Sequence, residues 1–223
     1  MMKELYALKL RSKFEKDGDL KFISHLDLMR AIERAMRRAQ IKFSLSKGFN
    51  PHPLLSFGPA LMMGATTHGD YFDVVLEDEI DPEKFKDDMN RTLPNGLKII
   101  DCYRVDDKDL LSDKVVEGEY TINIDLLDYE KDIGDIIERF LNRDEILAEK
   151  DTKSGKKMID LKKYIEDFKI LSVHDSKINL YLRLKISEGS PGPIHVLKAL
   201  DDFAGHVFDL EKIIIDRKKL ILN

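Results

Sequence analysis

A single cysteine, Cys102, stands among 223 residues. One thiol excludes an internal disulfide framework and any three-cysteine iron–sulfur site held by this chain alone. No run approaches the roughly 18 apolar residues of a membrane span, so no membrane partner is expected. The opening stretch MMKELYALKLRSKF alternates apolar and polar residues and lacks the continuous apolar centre of a signal peptide, which makes the cytoplasm the expected compartment. Neither a P-loop nor a dinucleotide fingerprint occurs, and no cofactor is expected. An excess of basic charge is also lacking: 37 Lys and Arg stand against 42 Asp and Glu, a formal net charge of -5, which argues against wholesale, sequence-independent adhesion to nucleic acid.

What is present is the composition of a globular protein, 43% hydrophobic and 35% charged. At about 100 to 200 residues per domain, the chain predicts one large domain or two small ones. Its charge is unevenly spread. Between Lys21 and Asn50 stand seven basic residues (Lys21, Arg30, Arg34, Arg37, Arg38, Lys42, Lys47) and two acidic ones (Asp27, Glu33). A basic surface can therefore sit on an acidic protein.

Residues 5–14 alternate with the period of a half-buried strand, placing Tyr6, Leu8, Leu10 and Phe14 opposite Lys9, Arg11 and Lys13. Ser24 and Asp27 resemble a capping box, and Leu28, Ile32, Ala35 and Ala39 repeat at helical spacing, which predicts a helix to about Arg38. Short extended segments are expected at 42–45 and 54–62, and a strand at 71–76. Asp81-Pro82 opens a second helix to about Leu93, Pro94-Asn95-Gly96 ends it, and 97–105 resumes strand character. The order β-α-β-β-α-β is the split βαβ, or ferredoxin-like, unit. A second, irregular copy is expected from strands at 119–127, 146–152, 177–186 and 212–222 with helices at 129–141 and 193–203. Residues 156–173 read as a strand followed by a brief helical turn. The expected fold is α+β, two tandem ferredoxin-like units with antiparallel sheets, spanning 1–113 and 114–223. The acidic stretch 106–116 serves as the linker.

Arg30, Arg34, Arg37 and Arg38 lie opposite the apolar stripe of the first helix, and guanidinium forks at that spacing suit phosphates. A solvated helix face accounts for the same pattern. Lys9, Arg11 and Lys13 on strand one point to an open basic sheet face. In the loop Ser46-Lys47-Gly48-Phe49-Asn50-Pro51-His52-Pro53, the prolines stiffen the backbone around His52 and set Ser46, Lys47, Asn50 and His52 as ligand-binding candidates. His25 and His52 are the candidate acid–base residues. His25, Asp27, His52, His68 and Asp70 are metal-ligand types, but no helical His-x-x-x-His or clustered cysteine spacing accompanies them, and no metal site is assigned. Lys150, Lys153, Lys156 and Lys157 surround a predicted turn at Ser154-Gly155. Gly189-Ser190-Pro191-Gly192-Pro193 opens a helix whose N-terminus can receive an anion, and a plain loop leading into the helix explains it equally.

Phe22-Ile23-Ser24-His25-Leu26-Asp27-Leu28, Glu33-Arg34-Ala35-x-Arg37-Arg38-Ala39, Ser46-x-Gly48-Phe49-Asn50-Pro51-His52-Pro53, Ser56-Phe57 and Gly69-Asp70-Tyr71-Phe72-Asp73 together resemble the radical SAM-linked domain family, a bacterial domain of unknown function. Thr152-Lys153-x-Gly155 and Gly189-Ser190 extend the likeness. The resemblance implies a stand-alone partner of a larger radical SAM protein that carries the cluster. It assigns no catalytic residue. By topology alone, two ferredoxin-like units in tandem also resemble the repeat-associated endoribonucleases of CRISPR systems, which bind RNA on such a scaffold and often cleave it with a histidine.

The expected function is that of an accessory protein binding RNA or another phosphate-bearing substrate for a radical SAM partner. A metal-independent ribonuclease or RNA-modifying enzyme using His25 or His52 is the alternative. A protein-interaction module docking its loop on the partner is a third reading.

Overall fold

Strand alternation and helical stripes sort the buried from the exposed side chains in a computed structural model that describes residues 8–128, 130–152, 155–187 and 189–223. The fold is mixed α+β, with a mostly antiparallel sheet and few helices. It divides into two compact units, Met1–Val115 with Leu222–Asn223, and Val116–Ile221. No helix among the described residues is long and apolar enough to cross a membrane.

In the first unit the elements run β1 (Leu8–Lys16), α1 (His25–Arg38), β2 (Leu55–Phe57), β3 (Thr66–Leu76), α2 (Pro82–Asn90), β4 (Leu97–Val105) and the single turn α3 (Leu111–Lys114). Residues 5–7, the expected beginning of the first strand with Tyr6 among them, lie outside the described residues. β1 lies between β4 and β3, antiparallel to both, and β2 pairs antiparallel with β3. The apolar positions of β1, Leu8, Leu10 and Phe14, share one core with Leu28, Ile32, Ala35 and Met36 of α1, Phe72 and Val74 of β3, Phe85 and Met89 of α2, and Leu97 and Ile99 of β4. Both helices therefore bury against the same strands. α2 starts as its Asp81-Pro82 step dictates: the Asp81 carboxylate accepts from the amides of Glu83 and Lys84 at 3.0 and 3.2 Å. Gly96 then turns the chain at φ +85°, with the Asp17 carbonyl oxygen 2.7 Å from where a Cβ would stand. Only glycine fits there.

The expected extended segments at 42–45 and 54–62 shrink to β2 and the isolated pairings Phe43 with Leu76 and Leu45 with Pro53. The open basic face expected on strand one is corrected more sharply. Lys9 and Arg11 are buried, 7% and 2% exposed. Arg11 grips Asp73 of β3 with Nε and Nη2 at 2.8 and 2.9 Å and reaches the Asp109 carboxylate at 3.1 Å. Lys9 Nζ donates to the Asp109 carbonyl at 2.6 Å. The hydrogen bonds to Asp73 hold the Arg11 guanidinium above its already high ordinary pKa. The stretch after β4 is thus clamped onto β1 rather than hanging as a free linker. A buried cation must be paired, and Asp73 of β3, with the Asp109 carboxylate and carbonyl from that stretch, supplies the partners.

In the second unit the order is β5 (Val115–Asp125), α4 (Ile133–Leu141), β6 (Leu147–Thr152), β7 (Gly155–Asp160), β8 (Ile165–His174), β9 (Lys177–Lys185), α5 (Pro193–Ala204) and β10 (Ile214–Leu222). Neighbours run β10-β5-β9-β8, with β9 antiparallel to both β5 and β8. Ile122, Ile124, Leu180, Leu182, Ile137, Phe140, Val196 and Leu200 are buried, and the Phe140 and Phe203 rings meet at 5.7 Å. The segment 146–152, expected as the second strand of this unit's main sheet, pairs only with β7 in a separate two-stranded sheet. The strand and brief helical turn expected in 156–173 are found in its first half, as β7 and a 3-10 turn at Leu161–Lys163; the unexpected element is β8, which follows them and lies beside β9. Its register shifts twice and only Phe168 is buried, so its alternation is broken. The helix expected from Tyr129 begins at Ile133, capped by the Asp132 carboxylate accepting from Asp135 N at 3.1 Å. Tyr129 itself lies outside the described residues.

Candidate functional site

α1 forms because its start is capped and its stripe is continuous. Ser24 Oγ accepts from the Asp27 amide at 3.1 Å and donates to the Asp27 carboxylate at 2.7 Å. That side-chain hydrogen bond holds the Asp27 carboxyl below its usual range. With Leu28, Ile32, Ala35 and Met36 turned inward, the 100° step per residue leaves Arg30, Arg34, Arg37 and Arg38 exposed. Arg30 pairs with Asp27 at 3.3 Å and Arg37 with Glu33 at 2.7 Å. Exposed pairs of this kind contribute at most about 1 kcal/mol and yield readily to a phosphate. Arg37 also lies 5.1 Å over the Phe43 ring. Arg38 donates to the Thr92 carbonyl, which ties α1 to the end of α2. Arg34 has no ion-pair partner among the described residues.

The loop after α1 is closed at its neck. Ser46 N donates to the His52 carbonyl at 2.8 Å, His52 N donates to Ser46 Oγ at 3.1 Å, and Ser46 Oγ meets His52 Nδ1 at 2.9 Å. Leu54 N continues the closure to the Ser44 carbonyl at 2.9 Å. The structure therefore brings Ser46 and His52 together and makes them the staple of the loop, leaving Lys47, Gly48, Phe49 and Asn50 exposed at its tip. Phe49 is 105% exposed.

His25 has different surroundings. Its ring meets Phe57 edge-on at 5.1 Å, and it lines a cavity of about 20 Å³ with Lys16, Asp70, Tyr71 and Pro59. That volume holds about one water. Lys16 and Asp70 are buried at its wall, and Thr67 Oγ1 donates to Asp70 at 2.9 Å. The sequence motifs included Phe57 and Asp70, but nothing marked Lys16 as their neighbour. The available signal was a lysine two residues beyond Phe14 on a strand.

The five metal-ligand types do not gather: Asp27 is held by Ser24, His52 by Ser46, and His68 lies 3.6 Å from Glu15. Among the described residues no three His, Cys, Asp or Glu side chains stand close enough to hold a metal ion. In the second unit, Lys150 Nζ donates to the carbonyls of Gly189 and Ser190 at 2.6 and 2.7 Å, which braces the loop before α5. Lys156 pairs with Glu149 at 2.5 Å. Lys153 and Ser154, expected at the hairpin tip, lie outside the described residues.

A family model described as "Uncharacterized protein conserved in bacteria (DUF2344)" matches residues 9–193. No curated protein sequence matches the chain. Among solved structures, it is similar to a chain of a Cbf5-Nop10-Gar1 complex, with a TM-score of 0.55 and 9% identity, covering 95% of this chain and 48% of that one. The chain thus spans about half the length of that relative. The acetolactate synthase small subunit from Thermotoga maritima aligns over 97% of both chains at 12% identity with a TM-score of 0.31, too low to carry a comparison. The likeness at 9% identity is one of fold alone.

Proposed function

We propose that this chain, which belongs to the DUF2344 family of uncharacterised proteins conserved in bacteria, is an accessory protein that binds RNA or another phosphate-bearing substrate on the arginine face of α1 and on the loop that follows. The observation that carries this reading is the exposure of Arg30, Arg34, Arg37 and Arg38 together on one face of an otherwise acidic chain. Guanidinium forks recognise phosphate oxygens in pairs, and their surface partners Asp27 and Glu33 are exchangeable. Lys47 and Asn50 extend the surface. In this reading each unit is a ferredoxin-like scaffold, the second enlarged by the β6–β7 hairpin, and the partner is a radical SAM protein, as the motif resemblance in the first unit suggests.

The test is binding of a fluorescein-labelled, mixed-sequence 12-nucleotide RNA, measured by anisotropy across a salt series. Arg30→Glu with Arg34→Glu lowers affinity at least tenfold and flattens the log K against log salt slope by about 0.7 for each phosphate that the variant no longer neutralises. An unchanged slope and affinity defeats the reading. Co-purification of a tagged chain with a radical SAM protein checks the partner, and loss of that association on deleting the loop tip but not on reversing the arginines would favour the docking-module alternative.

One observation favours a second reading. His25, itself exposed, and Asp70 line the same one-water cavity, an arrangement that suits relaying a proton through a water to a group bound at the surface. If the protein is a nuclease, single-turnover incubation with the RNA above yields cleaved product that disappears in His25→Ala. Absence of cleavage by the native protein at saturating concentration ends that reading.

A further inference from the structure

Phe49 calls for a physical explanation beyond the fold. A phenylalanine gains free energy by leaving water, yet this one is 105% exposed. It does not ride on a loose segment. The neck beneath it is closed by the bonds between Ser46 and His52, by the pairing of Leu45 with Pro53 and by the bond from Leu54 to Ser44. Pro51 and Pro53 remove further backbone freedom. The ring is therefore held out in solvent by a preorganised loop, and no packing partner among the described residues accounts for it.

The neighbours at the tip decide what the ring suits. Lys47 and Gly48 precede it and Asn50 follows, all exposed, and the exposed apolar side chains nearest in sequence, Leu45 and Leu54, belong to the neck and not to the tip. An anchor for a protein partner sits at the centre of an apolar ring that excludes water. One aromatic face between an ammonium and an amide is instead the equipment of single-strand recognition: the ring stacks on a base, the cation meets the backbone phosphate, and the amide reaches a base edge.

We infer that Phe49 is a stacking platform for an unpaired base, so that the substrate class is single-stranded RNA rather than duplex. This inference rests on the RNA reading above and narrows it. Stacking is sequence-tolerant because every base has a π-face, but it needs a base that is free of its own helix.

The experiment uses the full chain, the same labelled 12-nucleotide RNA, and that RNA annealed to its complement. The native protein binds the single strand more tightly than the duplex. Phe49→Ala weakens single-strand binding about tenfold, leaves duplex binding and the salt slope unchanged, and melts at the native temperature because the ring touches no core. Phe49→Trp restores single-strand affinity, whereas Phe49→Leu, apolar but without a π-face, does not. Native affinity in Phe49→Ala, alongside weakened binding in the Arg30 and Arg34 double variant, overturns the stacking role and leaves the RNA reading standing. Full affinity in Phe49→Leu also overturns it and indicates a plain apolar anchor. If the native protein binds neither RNA form at low salt, the parent reading fails and this one with it.

Discussion

At the scale of single residues, burial decides which charges belong to the fold and which remain for a ligand. Arg11 and Arg34 are chemically alike, yet Arg11 is clamped by Asp73 and Asp109 inside the first unit while Arg34 faces solvent. Removing a partner from a buried pair strands the other charge. Arg11→Met should therefore lower stability by about 3 kcal/mol in urea unfolding, whereas Arg34→Met should change it by no more than about 0.5 kcal/mol. Equal effects would contradict the assignment. Cys102 gives a second case. Burial pushes its thiol up to about 11, against the opposing hydrogen bond from Ser12. The protonated form is thus favoured by the fold. The contribution is complete below the ordinary thiol pKa and is lost as pH rises towards 11. Native Cys102 should react with iodoacetamide at pH 8 about 100-fold more slowly than in urea, because thiolate is the reactive form. Alkylation at comparable rates would refute its burial.

At the scale of elements, α1 shows how much a local pattern can specify. Ser24 followed by Asp27, then apolar residues at helical spacing, marked both its start and its buried face, and the observed span ends at Arg38 as expected. Ser24→Ala should cost about 1 kcal/mol. Part of that loss is tied to Asp27, whose carboxyl lies below its usual range through Ser24 Oγ. A depressed carboxyl stabilises the fold above its unfolded pKa and ceases to do so as pH falls through the folded value. The gap between native and Ser24→Ala in urea midpoints should therefore narrow in strong acid, and a constant gap would show that the cap acts without the carboxylate. β8 shows the opposite case. It carries two register shifts and one buried residue at the end of the strand order, so no period-2 pattern announces it. The candidate loop lies between these cases: its prolines and glycine predicted rigidity, but the pairing of Ser46 with His52 depends on the chain folding back six residues later.

At the scale of the whole molecule, the sequence carries two runs of alternating strand and helix patterns, but the place of the hairpin was not legible in it. As strands, β6 and β7 pair only with each other, so they form a small sheet of their own rather than a part of the second unit's main sheet. Replacing 148–159 with Asn-Gly to join Leu147 and Asp160 should leave one cooperative thermal transition for the unit, with a lower midpoint because the Lys150 brace on Gly189 and Ser190 is removed. A broad, uncooperative melt would show that the hairpin belongs to the main sheet.

The sequence alone determined the properties that depend on near neighbours. The caps at Ser24 and Asp81, the apolar stripe of α1, the arginines opposite it and the α+β class all follow from periodicity and from turn chemistry within a few residues. Tertiary structure decided whatever depends on residues distant in the chain. It alone placed Asp109 and Asp73 on Arg11, removing Arg11 from the list of basic surface residues. It alone set Lys16 and Asp70 beside His25, and left Phe49 in water above a closed neck. The physical reason is the same throughout: burial and pairing are properties of three-dimensional neighbourhoods, and they determine whether a charge or a ring serves the fold or remains available to a ligand.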